Sequence, residues 1–185
     1  MKQRDLVAMT PAEATAMLAA ARKMQLATIN PDGTPHLVTM FYALIDGRIA
    51  FWTYRKAQKA RNLARDPRLS CLVEAGEDYF ELRGVQVTGT VQRVEDPAGV
   101  RDIGRRIATG MGDVPDGSLE DYVAHSARKR VGYLVEPTRV ISWDHRKLVP
   151  ASSATYFVVA KHHEFALGGA TAQLHRIGAD LARSG

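Results

Sequence analysis

A chain of 185 residues with 45% hydrophobic content has the apolar mass for one substantial core and too little for two. A charged fraction of 24%, with no Pro, Ser or Gly tract and no acidic run, excludes an extended disordered region, and no apolar stretch approaches the roughly 20 residues that cross a bilayer. The net charge of +5 admits nucleic acid, an anionic membrane or an anionic small molecule as partner, and its distribution has to decide among them.

The N-terminal run MKQRDLVAMTPAEA lacks the apolar core of a signal peptide, so a cytoplasmic location is expected. Thr10-Pro11-Ala12-Glu13 opens a helix with a hydroxyl N-cap, proline at the first helical position and glutamate three residues after the cap. Ala14, Met17, Leu18 and Ala21 share one face of that helix, a pattern of core packing. From Met24 the period falls to two. MQLATIN, the turn PDGTP, HLVTMFYALI, the turn Asp46-Gly47 and RIAFWT predict a three-stranded meander. KAQKARNLARDP returns to helical composition and stops at Asp66-Pro67. LSCLVEA and YFELRGVQVTGTVQRV then read as strands, with Gly84 and Gly89 marking bulges or close backbone approach. Cys71, the only cysteine, falls in the first of these as a small buried thiol and fits a reducing compartment.

Asp96-Pro97 caps a helix over about Ala98 to Ala108, followed by the glycine-rich loop TGMGDVPDGS and a short helical stretch, LEDYVAHSARK. Two further strands, VGYLVEP and RVISWDH, complete the set. Strands broken by short helices, without regular βαβ alternation, predict a mainly β (α+β) antiparallel barrel over residues 1–150. Residues 151–185 form an extension expected to pack on the barrel or on a partner subunit, with TYFVVA strand-like and Leu174, Ile177 and Leu181 at helical spacing.

The chemistry is concentrated in residues 53–63, TYRKAQKARNL, where a strand ends in Thr53 and Arg55, Lys56 and Lys59 arrive at the beginning of a helix. Free N–H groups at a helix start attract anions, and cations beside them make a phosphate site. Lys56 and Lys59 share a face, as do Arg55, Lys59 and Asn62, so several donors can converge on one anion. A solvated basic helix is the other reading of the same residues.

Other chemistries find less support. His162 and His163 are adjacent and diverge in either a strand or a helix, a poor chelate, so no metal is expected. Gly110-Met111-Gly112 follows a helix where a dinucleotide fingerprint needs a strand. The small charge excess, with no aromatic residues interleaved in the basic cluster, argues against nucleic acid. His36, Tyr79 and His125 are candidate proton donors without an orienting partner in the sequence, so no catalytic residue is assigned.

The succession of PDGTP, strand, Asp46-Gly47, strand, basic helix, Asp66-Pro67 and buried strand resembles the pyridoxamine 5′-phosphate oxidase-like superfamily of split-barrel flavoproteins, over about residues 10 to 145. FWTYRKAQKARNLARDPRLSCLVEA followed by VTGTVQRV is most similar to the actinobacterial branch that uses the deazaflavin coenzyme F420. The resemblance implies a split β-barrel of FMN-binding type with Greek-key connections, and a homodimer with two cofactor sites at its interface. It implies an oxidoreductase that passes a hydride to an unsaturated small molecule, the cofactor carrying the chemistry. By position it implies Leu37, Val38, Thr39 and Met40 beside the flavin ring, Thr53, Arg55, Lys56, Lys59 and Asn62 at the phosphate, and Trp143 reaching the neighbour's cofactor. Where the true oxidases carry an Arg-Lys pair this chain has Gln58-Lys59, and it ends in ATAQLHRIGADLARSG in place of their substrate motif. Coenzyme F420 is therefore expected ahead of FMN, and a vitamin B6 substrate is not. An FMN-dependent oxidase or reductase, or a non-catalytic flavin- or haem-binding protein, is the alternative.

Overall fold

The computed structural model describes residues 3–112 and 118–149. Contacts divide the chain into a unit over Met1–Arg146 and another over Lys147–Gly185. The expectations for the extension fall outside the described residues, as do His162 and His163.

Among the described residues seven strands form one sheet: β1 (Lys23–Ile29), β2 (Pro35–Phe41), β3 (Ala43–Ile45), β4 (Arg48–Tyr54), β5 (Arg68–Ala75), β6 (Arg83–Val94) and β7 (Arg130–Asp144). Their spatial order is β2-β1-β5-β6-β7-β4-β3, with every neighbouring pair antiparallel. The helices are α1 (Gln3–Val7), α2 (Pro11–Ala20), α3 (Gln58–Arg65), α4 (Pro97–Thr109) and α5 (Leu119–Ala127). None of the described helices is long and apolar enough to cross a membrane.

The two edges of the sheet, β2 and β3, are consecutive in sequence with only Tyr42 between them. Phe41 and Ala43 are two residues apart and so lie within about 7 Å of each other. The edges must therefore meet, and the sheet curls into a split β-barrel. Tyr42 anchors the division: it is buried, its hydroxyl donates to the Leu18 carbonyl at 2.5 Å, and its N–H donates to the Arg22 carbonyl at 3.1 Å. The expected meander is thereby corrected. The run HLVTMFYALI is not one strand between two neighbours; its first part pairs with β1 and its second with β4.

The β3–β4 hairpin turns at Asp46-Gly47, where φ values of 49° and 75° give the two left-handed residues of a type I′ turn. The two final strands expected from the sequence are one strand of 15 residues, β7, with Pro137 at an irregularity. Thr88 pairs with Arg139 and Gly89 with Pro137, so Thr138 is the extra residue of a bulge, and its hydroxyl donates to the Thr88 carbonyl at 3.1 Å. A Cβ on Gly89 would sit 2.1 Å from the Glu136 carbonyl oxygen, a backbone atom that cannot swing aside. Gly89→Ala is expected to cost about 1–3 kcal/mol or more, read from the denaturant midpoint. An unchanged midpoint would show that the two strands approach less closely than this.

The barrel interior holds Met24, Leu26, Phe51, Val73, Val85, Val131 and Tyr133 among its buried residues. A smaller core lies under α4, where Val100, Ile103 and Ile107 cover Ala50 and Trp52 of β4. The capping box at Thr10 and Glu13 forms as the sequence predicts. Cys71 is buried, and burial pushes its thiol up to about 12, so it is not a nucleophile at neutral pH.

Candidate functional site

Because β4 pairs with β3 and not with β2, the strands β2 and β4 separate, and a cavity of about 250 Å³ opens between them. Its walls include Thr39 and Met40 of β2, Thr53 and Tyr54 of β4, Lys59 of α3 and Arg130 of β7. Four of the residues singled out in the sequence, Thr39, Met40, Thr53 and Lys59, are thus brought together. Beside them β2 has a strand partner on one side only among the described residues, so alternate N–H and C=O groups along its outer edge are open to a ligand there.

Lys59 is partly buried and makes no ion pair or hydrogen bond among the described residues. Desolvation by burial lowers the pKa of its ammonium. Thr53 is buried at the end of β4, and its hydroxyl likewise has no partner among the described residues. Sequence reasoning missed Arg130. Tyr54 and Arg130 are direct cross-strand partners, and Trp52 is two residues from Tyr54, so all three project from one face of the sheet. The guanidinium lies 4.3 Å from the Tyr54 ring centroid and 4.7 Å from that of Trp52, and donates to the Ser126 carbonyl at 3.2 Å. No carboxylate pairs with it among the described residues. Only the strand register reveals this residue, because 76 positions of sequence separate it from Tyr54.

The remaining candidates lie apart from this group. Arg55 and Lys56 are exposed in the turn before α3, which begins at Gln58, so neither stands on the helix itself. Arg55 pairs with Glu95 at 3.3 Å, a surface contact of little energetic weight. Asn62 is fully buried and its amide is occupied. It donates to Thr28 Oγ1 at 3.1 Å and to Asn30 Oδ1 at 3.0 Å, and accepts from Gln58 Nε2 at 2.9 Å. Leu37 is 64% exposed on the outer face of β2, and Val38 packs against the barrel core. Trp143 lies over Gly84, thirteen residues along β7 from Arg130. Tyr79, exposed in the 3₁₀ turn Tyr79–Glu81, contacts His145 with the rings tilted at 51°, and His125 is exposed on α5. No group of three metal-ligating side chains occurs among the described residues.

Residues 10–144 match the family model described as pyridoxamine 5′-phosphate oxidase. The chain belongs to that family. Among solved structures, a conserved hypothetical protein from Mycobacterium tuberculosis is 42% identical with a TM-score of 0.74, the match covering 81% of this chain and 94% of that one. An F420 reductase is 27% identical with a TM-score of 0.54, over 71% of this chain and 98% of that one. A haem-binding protein from Mycobacterium smegmatis, at 22% identity and a TM-score of 0.53 over 76% and 61% of the two chains, shares the fold. No protein of curated description matches. The family comprises flavin-binding split barrels, with oxidoreductases such as the F420 reductase among them and haem-binding neighbours on the same fold.

The cavity fits part of a phosphorylated flavin. At about 250 Å³ it falls below the usual range for a whole organic ligand. It suits a phosphate and its linker, with two cations and a hydroxyl on its walls, while the unpaired edge of β2 offers backbone donors and acceptors to a ring lying outside it. The helix start adds to the same field, since Ala57 at the N-cap of α3 provides no side-chain cap to the first N–H groups.

Proposed function

We propose that this protein is a cytoplasmic oxidoreductase that binds coenzyme F420, as a homodimer, and reduces an unsaturated small molecule. The observation that carries the reading is the pair of partly buried cations, Lys59 and Arg130, which face one cavity without a carboxylate partner among the described residues. Taking a cation out of water is costly unless an anion compensates, so the cavity is built for a negatively charged group. Lys59, Arg130 and the Thr53 hydroxyl hold the phosphate, and the open edge of β2 from Leu37 to Met40 orients the ring. When bound, the deazaflavin supplies a hydride from its ring to an activated alkene, imine or quinone.

The similarity to the F420 reductase supports the deazaflavin over FMN. So do the exposed cations Arg55 and Lys56, in the turn before α3, and Arg61 on that helix, which suit a tail carrying more negative charge than one phosphate. Exposed apolar side chains of β2 and β4, namely Leu37, Phe41 and Tyr54, support a second copy as the cover for this face.

Titration of the protein with F420, FMN and haem, followed by fluorescence and absorption, tests the reading. F420 is expected to bind at least tenfold more tightly than FMN, about 1.4 kcal/mol. Tenfold preference for FMN would move the assignment to an FMN enzyme, and binding of haem alone would make it a haem protein.

A further inference from the structure

A cleft of about 440 Å³ lies between α2 and the ends of β5, β6 and β7, and it shares no lining residue with the cation cavity. Its volume falls within the usual range for a small-molecule site. Glu13, Ala16, Met17 and Ala20 form one wall, spaced so that they share a face of α2. The opposite wall is one rung of the sheet. Ala75 pairs with Arg83 and Arg83 with Asp144, so the three side chains project to one side. Alanine at positions 16, 20 and 75 leaves the space between the walls unfilled.

The charges on these walls are unevenly paired. Asp144 is buried, and its two carboxylate oxygens accept from Arg146 Nε at 2.9 Å and Nη2 at 2.6 Å. Those hydrogen bonds, reinforced by the Arg83 charge, hold its carboxyl below the usual carboxylate range. Arg83 itself is half-buried and makes no ion pair or hydrogen bond among the described residues. Glu74, exposed on the neighbouring strand, makes none either, while Glu13 spends one carboxylate oxygen on the Thr10 N–H. An anion entering the cleft meets Arg83 but also two glutamates, and a cation meets the reverse. A ligand that carries both charges close together is attracted at both ends. Beside the charges, Met9 and Met17 pack on the barrel core and offer an apolar surface to the rest of such a molecule.

We propose that this cleft is a second ligand site, for a free α-amino acid with an apolar side chain. Arg83 holds the carboxylate, Glu74 and Glu13 hold the ammonium, and Met9, Met17 and Ala16 border the side chain. The site does not depend on which cofactor the protein binds.

Calorimetric titration of the full chain with L-leucine, with leucinamide, which lacks the carboxylate, and with 4-methylpentanoate, which lacks the ammonium, tests the assignment. Leucine should bind with a dissociation constant of about 1 mM or tighter, and each analogue at least about tenfold more weakly. Arg83→Gln should weaken leucine binding by at least about tenfold and no longer distinguish leucine from leucinamide. Ala16 is exposed on α2 and methionine is a good helix former, so Ala16→Met should fold like the parent while filling the cleft and abolishing binding. F420 affinity should be the same in the parent and both variants. No binding of leucine to the parent, or parent-like leucine binding in either variant, would overturn the site and leave the deazaflavin reading standing. A fall in F420 affinity in Arg83→Gln would overturn the separation of the two sites.

Discussion

Replacing Phe51 by alanine is expected to destabilise the protein by about 3–5 kcal/mol, a large share of the 5–15 kcal/mol that holds a typical domain together. Phe51 is fully buried in the barrel and faces Tyr133 directly across the β4–β7 pair, the rings stacked at 5.1 Å with planes 21° apart. The cost combines the lost transfer energy of the ring with a cavity that strands on all sides keep from collapsing. For a chain of this size the melting temperature should fall by roughly 6–20 °C. Tyr133→Phe is the companion measurement. The Tyr133 hydroxyl is buried without a partner among the described residues, so removing it leaves the packing in place and lifts a desolvation penalty. That variant should be as stable as the parent or more so. A loss below 1 kcal/mol for Phe51→Ala, or a large loss for Tyr133→Phe, would contradict the packing described for this pair.

Much of the fold is legible in the sequence because local rules and tertiary demands agree. The capping box at Thr10, the Asp46-Gly47 turn, the proline stop after α3 and the period-two runs each specify their own element. Failures occur where a long-range pairing overrides a local pattern. HLVTMFYALI contains no proline, glycine or other turn residue to break it, and only the closing of the barrel divides it at Tyr42. Pro137 suggests a strand break, but the bulge formed with Thr138 absorbs it.

The site divides in the same way. Lys59 and Thr53 are close in sequence, so their convergence follows from one strand end and one helix start. Arg130 comes from the opposite strand, and its importance depends on the β4–β7 register, which no local motif encodes. Asn62 has the right spacing for an anion contact, yet the helix turns it toward Thr28 and Asn30, where its amide seals α3 onto β1. Spacing on a helix identifies which residues share a face but not what that face covers.

The largest functional effect is expected for the double change Lys59→Ala/Arg130→Ala. Each cation offers a charge-assisted contact to a phosphate, worth roughly 1.5–3 kcal/mol, so either single change should weaken F420 binding by about ten- to a hundredfold. Both act on one anion, so their effects need not add; the double variant should lose at least about a hundredfold. Arg101→Ala, on the exposed outer side of α4, carries the same change of charge away from the cavity and should bind like the parent. The pH dependence separates the two cations. Burial lowers the pKa of Lys59, and a bound phosphate would raise it again. Affinity should therefore be full below the free protein's lowered value, then decline as pH rises from that value toward the raised value of the complex. In Lys59→Arg the cation remains charged throughout, so this alkaline decline should disappear, while Arg130→Ala should keep it at lower affinity. Fluorescence titrations at several pH values read both effects. Parent-like affinity in the double variant would refute the cavity as the phosphate site, because no rearrangement of neutral side chains replaces two charges facing one anion.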